Sequence, residues 1–218
     1  MANQTPVRIT VLISGNGTNL QALIDARDDA LKNCSIVRVI SNRMKAYGLH
    51  RAKEASIPTH YHNLIPYREK FAENARTEYD KDLAAIVLAD KPDLVVCAGW
   101  MSILADTFLD PLAEAHVPII NLHPALPGQF NGAKAIERAH KAWLEGKIEK
   151  TGIMIHYVES EVDMGKPILV EEIPFNRGVD ENIEKLEQRI HEKEHKLIVL
   201  GTRMVAEEIQ KRNSNGVS

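Results

Sequence analysis

Asn121 and His123 are the side chains whose types and spacing most directly suggest chemistry. They stand two residues apart at the end of an apolar run that starts at Val117, so in a β-strand both would project from the same face. An amide that donates hydrogen bonds, beside an imidazole that gains and loses protons, can stabilise an oxyanion, as acyl transfer requires. The alternative is a histidine that only caps the loop after the strand.

A polar loop with three carboxylates supplies a candidate partner for that imidazole. It lies between two strand-like runs and contains Glu159, Glu161 and Asp163. A carboxylate of this loop that pairs with His123 would hold it protonated, which predicts a raised pKa for the imidazole. The alternative is a solvated loop with no role in a site.

The segment VLISGNGTNLQALID, residues 11–25, predicts a strand, a glycine turn and a helix. Outward N–H groups of such a turn, together with the positive end of the helix dipole, suit a phosphate group. Alternatively, the glycines only relieve steric strain. The third glycine of a dinucleotide fingerprint is absent and the next strand ends in Ser41 and Asn42 rather than an acidic residue, so dinucleotide binding is disfavoured.

Glu194 is a carboxylate on an otherwise apolar helical stripe, which Leu186, Ile190 and Leu197 define. A carboxylate that faces the interior requires a partner. The sequence leaves two partners open: a lysine or arginine in a structural ion pair, or the ammonium group of a ligand.

These residues need a scaffold, and the chain alternates β-branched runs with helical patterns. Strands are predicted at 8–13, 35–41, 93–98, 117–123, 151–158 and 167–173. Helices are predicted at 19–29, 47–55, 67–90, 133–145 and 182–211. The alternation in the first half predicts a parallel sheet with helical crossovers. The last two strands are too close in sequence for a helical crossover, so we expect them to be antiparallel and the sheet to be mixed.

Length and composition narrow the class of protein. A chain of 218 residues with 44% hydrophobic residues and a net charge of -3 suits one globular domain and provides no basic field for nucleic acid or membrane. We expect a single catalytic domain at 1–212, a disordered tail at 213–218 and a cytoplasmic location, since no apolar run approaches a membrane span. Cys34 and Cys97 suggest free thiols. We expect a monomer, with a dimer as the alternative.

Four segments, in this order, resemble the folate-dependent formyltransferases: VLISGNGTNLQALID, CAGWMSIL, NLHPALPG and VDMGKPIL. The phosphate turn SGNGTN is similar to that of the phosphoribosylglycinamide formyltransferase branch, and the resemblance spans residues 8–204. It implies a Rossmann-like three-layer α/β sandwich with a mostly parallel, mixed sheet. It also implies formyl transfer from 10-formyltetrahydrofolate to the amine of 5'-phosphoribosylglycinamide in de novo purine biosynthesis, with no metal.

The resemblance also implies roles for individual residues. The residues that match the catalytic trio are Asn121, His123 and Asp163. Those that match the substrate site are Gly15, Asn16, Gly17, Thr18 and Asn19 for the phosphate and Glu194 for the glycinamide group. Those that match the folate site are Arg76, Met101, Ser102, Ile103, Leu104, Asn121, Glu161 and Val162.

Three positions depart from the family pattern. Ser102 stands where many relatives carry arginine, and His191 stands where some carry a lysine directed toward the substrate. The segment GQFNGAKAIERA, residues 128–139, is also unlike the bacterial pattern, so we expect the loop over the site, around Gln129–Lys134, to close differently.

Three other functions remain as alternatives. A 10-formyltetrahydrofolate deformylase would use the same trio to deliver water, but such enzymes usually carry an additional N-terminal domain and lack the phosphate turn. A methionyl-tRNA formyltransferase needs a second, nucleic-acid-binding domain, which the charge of -3 does not favour. A non-catalytic nucleotide-phosphate binding module would explain the turn but would leave the trio without a shared purpose.

Overall fold

A single mixed sheet forms the centre of the protein in a computed structural model that describes residues 5–214 and residue 216. Its strands in the described residues are β1 (Val7–Ile13), β2 (Cys34–Ser41), β3 (Thr59–Tyr61), β4 (Leu94–Cys97), β5 (Ile119–His123), β6 (Lys150–Tyr157) and β7 (Pro167–Pro174). They are ordered β3-β2-β1-β4-β5-β6-β7. The first five strands run parallel, whereas β6 is antiparallel to β5 and β7 is antiparallel to β6. The predicted mixed, mostly parallel sheet is therefore confirmed.

Helices cover both faces of this sheet and complete three layers. They are α1 (Thr18–Asp25), α2 (Tyr47–Glu54), α3 (Ile65–Phe71), α4 (Ala75–Ala89), α5 (Asp106–Glu114), α6 (Ala135–Leu144) and α7 (Ile183–Ser214). One apolar core joins β1 to α1 and α7, and a second core on the opposite face joins the sheet to α4 and α5. Consecutive residues of β1, such as Val11 and Leu12, belong to different cores, as expected for a strand with both faces buried.

The prediction of one continuous helix at 67–90 is wrong because the helix is interrupted within this range. A 3₁₀ turn at Ala72–Asn74 separates α3 from α4, and Ala72 has a φ of +46°, which an α-helix does not accommodate. The break lets Tyr67 of α3 and Tyr79 of α4 each place a ring within 5.5 Å of the His62 ring. This aromatic packing depends on tertiary contacts, which the helical periodicity of the sequence does not predict.

Other element boundaries also differ from those expected. The short strand β3 and helix α5 were not expected; α5 contains Pro111, a residue that usually ends a helix. Helix α7 continues through Ser214, so the first two residues of the expected tail are helical. Residues 215, 217 and 218 of that tail lie outside the described residues. Among the helices described, none combines the length and apolarity that crossing a membrane would require.

The strand order determines where the candidate residues meet. The chain adds β2 and β3 on one side of β1 and then places β4 and β5 on the other. Ligands of such sheets bind at the carboxyl ends of the strands where the order reverses. The glycine turn follows β1, and Asn121 and His123 end β5, so both candidate regions lie at this edge.

Candidate active site

The three predicted catalytic side chains lie together at the end of β5. Asp163, in the loop between β6 and β7, places Oδ2 3.4 Å from Nδ1 of His123. Its other oxygen, Oδ1, lies 3.5 Å from Nδ2 of Asn121. The structure thus places the carboxylate in contact with both the imidazole and the amide, and of the three acidic residues in that loop it is Asp163 that pairs with His123.

Asp163 is held by backbone as well as by side chains. Its φ of +58° is left-handed, and the N–H of Gly132 donates a hydrogen bond to Oδ2 at 2.7 Å. Burial alone would raise the pKa of Asp163, but the hydrogen bonds from His156 and Gly132 and the charge of His123 outweigh it and lower the pKa. The carboxylate is therefore ionised at neutral pH. The hydrogen bond from Gly132 also joins its segment to the loop that carries Asp163.

His156 is a fourth member of this cluster, and the sequence did not indicate it. Its Nε2 lies 3.2 Å from Nδ2 of Asn121 and 3.5 Å from Oδ1 of Asp163, and its Nδ1 lies 2.8 Å from the carbonyl oxygen of Tyr157. Nε2 of His156 therefore faces both the Asn121 amide and the Asp163 carboxylate. His156 faces Asn121 in the antiparallel register of β5 and β6; the only sequence signal was a histidine within a buried strand.

The predicted increase in the pKa of His123 is wrong. Burial lowers the pKa of His123, with a further contribution from the charge of His156. These effects outweigh the charge of Asp163 and the backbone groups of Gln129 and Phe130, which act in the opposite direction. The side chain is only 5% exposed, so the loss of water around the imidazolium dominates. Its Nε2 is buried without a hydrogen-bond partner among the described residues, which leaves this atom for a ligand.

The glycine turn after β1 forms the second part of the site. Gly17 has a φ of +74° and caps α1, and no side chain caps this helix end within the part of the chain that the structure describes. The N–H groups of the first helical turn, which includes Thr18 and Asn19, are therefore not taken by a capping side chain. Gly15 and Asn16 are exposed, whereas Asn19 is buried. An anion can reach the turn from solvent.

Glu194 connects this turn to α7. The carboxylate is buried on the same stripe as Leu186, Ile190 and Leu197, as predicted. Its Oε2 accepts a hydrogen bond of 3.3 Å from Nδ2 of Asn19, so its partner in the structure is an amide, and no ion pair with lysine or arginine is formed among the described residues. Burial raises the pKa of Glu194, although the charge of His191 and the Asn19 amide act in the opposite direction.

Apart from Asn121 on β5, the residues expected to contact folate lie on two loops and one helix. Met101 and Ile103 are 71% and 66% exposed, whereas Leu104 is buried. Ser102 Oγ accepts a hydrogen bond from Nδ2 of Asn42 at 2.9 Å. These residues form one segment after β4, and its two exposed apolar side chains are available for a ring system.

Arg76 fastens this segment to α4. Its guanidinium donates to the carbonyl of Ile103 and, through Nε, to Oδ2 of Asp80 at 2.9 Å. Glu161 and Val162 lie on the other loop, directly before Asp163, where Glu161 is exposed and Val162 is partly buried. The carbonyl of Val162 accepts a hydrogen bond from Nδ2 of Asn131 at 3.3 Å.

Among the described residues, no group of three or more histidine, cysteine, aspartate or glutamate side chains is arranged to hold a metal ion.

This chain is similar to known formyltransferases in both sequence and structure. A family model described as formyl transferase matches residues 7–202. The chain is 50% identical over 194 residues to a phosphoribosylglycinamide formyltransferase of Schizosaccharomyces pombe, which covers 88% of this chain and 93% of that protein. It is 46% identical to the protein of the same name from Saccharomyces cerevisiae, over 94% of this chain and 99% of that protein. A crystal structure of glycinamide ribonucleotide transformylase 1 from Symbiobacterium toebii superposes with a TM-score of 0.81 at 33% identity, over 94% of this chain and 89% of that one.

Proposed function

Because the chain belongs to the formyl transferase family, we propose that it transfers the formyl group of 10-formyltetrahydrofolate to the amine of 5'-phosphoribosylglycinamide. The products are N-formylglycinamide ribonucleotide and tetrahydrofolate, in de novo purine biosynthesis. The observation that carries the proposal is the buried His123, with Asp163 at Nδ1 and a free Nε2, beside the Asn121 amide. In this proposal residues 1–212 form one catalytic domain that acts in the cytoplasm as a monomer.

The acid–base work is assigned to His123. With Nδ1–H directed to Asp163, 3.4 Å away, the neutral ring presents the lone pair of Nε2 to the substrate. As the amine attacks the formyl carbon, a C–N bond forms, the carbonyl becomes an oxyanion, and Nε2 accepts the proton that the amine loses. The resulting imidazolium is stabilised by ionised Asp163. Collapse of the intermediate returns the proton to N10 of the folate as its bond to carbon breaks.

Asn121 supplies the stabilisation of the oxyanion. Its Nδ2 carries two hydrogens. One is directed toward Nε2 of His156 and Oδ1 of Asp163, which lie 3.5 Å apart, and in this proposal the other faces the reacting oxygen. A fixed donor in a site without water is worth several kcal/mol, about 3 kcal/mol in typical cases. Once His123 is protonated, its Nε2–H is a second donor to the same oxygen.

The glycine turn and Glu194 are assigned to the ribonucleotide. β4 alone separates β1 from β5, so the turn and His123 lie about 10 Å apart at the normal spacing of strands. A ribose with a glycinamide arm can span this distance with its phosphate on Gly15–Asn19 and its amine at His123. Glu194, hydrogen-bonded to Asn19, would receive the glycinamide group.

The folate donor is assigned to the opposite side of the trio. The exposed Met101 and Ile103 would contact the pterin together with Ser102 and Leu104, and Glu161 and Val162 would close the pocket from the catalytic loop. Arg76, already bound to the Ile103 carbonyl, lies where it can meet the acidic benzoyl-glutamate end of the donor.

The test follows folate absorbance with 10-formyltetrahydrofolate or its dideaza analogue, with and without glycinamide ribonucleotide. We expect loss of the formyl group only when the ribonucleotide is present, and formylated ribonucleotide as the product. Loss without the ribonucleotide would indicate a hydrolase instead. His123→Ala should reduce kcat by about 10²–10⁴-fold while ligand binding and folding are retained; unchanged turnover would exclude this role for His123.

A further inference from the structure

Arg51 of α2 contacts the glycine turn although it lies outside every motif that the sequence suggested. Its Nε donates to the carbonyl oxygen of Asn16 at 2.9 Å, and its Nη2 lies 3.3 Å from Oδ1 of the same residue. Its Nη1 donates to Oε1 of Gln21 in α1 at 3.1 Å. The guanidinium also lies over the ring of Tyr47, 4.9 Å from its centroid. One partly buried side chain thus holds both the turn and the helix that follows it.

The contacts of α2 determine which way the peptide groups of the turn face. The N–H of Gly48 donates to the carbonyl of Gly15 at 3.2 Å, and Arg51 takes the next carbonyl, that of Asn16. The described peptide bonds are trans, so each C=O and the N–H of the same unit point in opposite directions. The N–H groups of Asn16 and Gly17 therefore face away from α2.

Close packing keeps α2 and the turn together. A Cβ atom on Gly17 would lie 2.6 Å from Cα of Gly48, so the two backbones are already in contact. The positive charge of Arg51 also acts across the turn on α7: burial, followed by the charges of His191 and Arg51, lowers the pKa of His195. The turn therefore combines outward N–H groups with a fixed positive charge behind them.

We propose that Arg51 is a positioning residue for the phosphate of the substrate: it holds the carbonyls of the turn toward α2 so that the N–H groups face the ligand. The proposal rests on the function proposed above, because it takes a ribose phosphate as the occupant of the turn. Arg51 acts through the Asn16 carbonyl and through its charge.

The test compares Arg51→Met with Arg27→Met as a matched control. Arg27 also joins α1 to α2, since it donates to the carbonyls of Ile24 and Ala55 at 3.0 and 3.2 Å, but it does so at the opposite end of α1. For Arg51→Met we expect the KM for glycinamide ribonucleotide to rise about tenfold, with kcat and the KM for the folate donor within about twofold. Arg51→Lys keeps the charge but not the fork of donors, so its KM should lie between those of the wild type and Arg51→Met.

A dephosphorylated substrate and a simple ligand separate the outcomes. With glycinamide ribonucleoside, which lacks the phosphate, the wild type and Arg51→Met should have equally low kcat/KM. The proposal would be overturned if Arg51→Met lost the same factor of kcat/KM on both substrates. It would also be overturned if Arg51→Met and Arg27→Met had the same KM for the ribonucleotide. Calorimetric titration with ribose 5-phosphate needs no turnover. If formyl transfer fails, weaker ribose 5-phosphate binding by Arg51→Met alone still supports the role of Arg51. Absence of binding to the wild type, or equal binding to all variants, refutes it.

Discussion

Replacing Gly17 with alanine should destabilise the protein at the glycine turn through two separable effects. Gly17 has a φ of +74°, and an added Cβ would lie 2.6 Å from the backbone Cα of Gly48. The left-handed conformation costs a residue with a Cβ about 1–2 kcal/mol. The overlap is with backbone that cannot rotate away, so α2 must shift, and such overpacking costs about 1–3 kcal/mol more.

Gly146 provides a control in which only the first effect operates. It has a φ of +72° and nothing within 4 Å of its Cβ position, and it follows the end of α6. We expect Gly146→Ala to lower the free energy of unfolding by about 1–2 kcal/mol, and Gly17→Ala by about 2–5 kcal/mol. Urea denaturation at constant m-value measures both changes.

The functional consequence distinguishes the two variants further. Because the displaced α2 carries Arg51 and Gly48, which hold the carbonyls of the turn, Gly17→Ala should raise the KM for glycinamide ribonucleotide and leave that for the folate donor unchanged. Gly146→Ala should change neither. Equal destabilisation by the two substitutions would refute the argument that close packing of α2 shapes the turn.

Three further outcomes follow from the electrostatics of the site. Asp163→Asn should lower kcat about 10³-fold without unfolding the protein, measured in single turnover, because His123 loses the charge that stabilises its protonated form. Glu194→Gln should move the urea midpoint at pH 7 upward while the KM for the ribonucleotide rises, because burial raises the pKa of this carboxylate and its ionised form destabilises the fold. Burial also lowers the pKa of His123 and His62 below 6.5, so near and below that pH the unfolded chain binds more protons than the folded protein. The urea midpoint should therefore decrease as the pH is lowered from 7.5 to 5.5. In His62→Gln this decrease should be smaller.

The local sequence pattern was sufficient to predict those features of the site that depend on a single strand, helix or loop. The two-residue spacing of Asn121 and His123 determines that they share a face of β5, and helical spacing places Glu194 on the buried stripe of α7. The composition of its loop indicated only that one of three carboxylates could pair with His123, and the resemblance to the formyltransferases singled out Asp163. Parallel strands were also predictable, since alternation of strand and helix permits few other arrangements.

Pattern failed where the outcome depends on elements distant in sequence. His156 enters the site only because β6 pairs antiparallel with β5 and places it opposite Asn121. Arg51 reaches the turn only because α2 packs against Gly17. The pKa of His123 was predicted in the wrong direction because the sequence indicated its partner but not its burial, and here desolvation outweighs the partner's charge.

Buried polar atoms without hydrogen-bond partners predict that ligand binding at this site stabilises the fold. Nε2 of His123, Oδ1 of Asn19 and Nε2 of His195 are buried and unpartnered among the described residues, and each belongs to a side chain at or beside the carboxyl edge of the sheet. A buried polar atom without a hydrogen bond costs about 1–3 kcal/mol, and a ligand that supplies partners removes this cost only in the folded state. Substrate binding should therefore stabilise the fold by more than its contacts with exposed groups alone would provide. Under the proposed function, the ribonucleotide and the formyl donor would supply hydrogen-bond partners to atoms of this group.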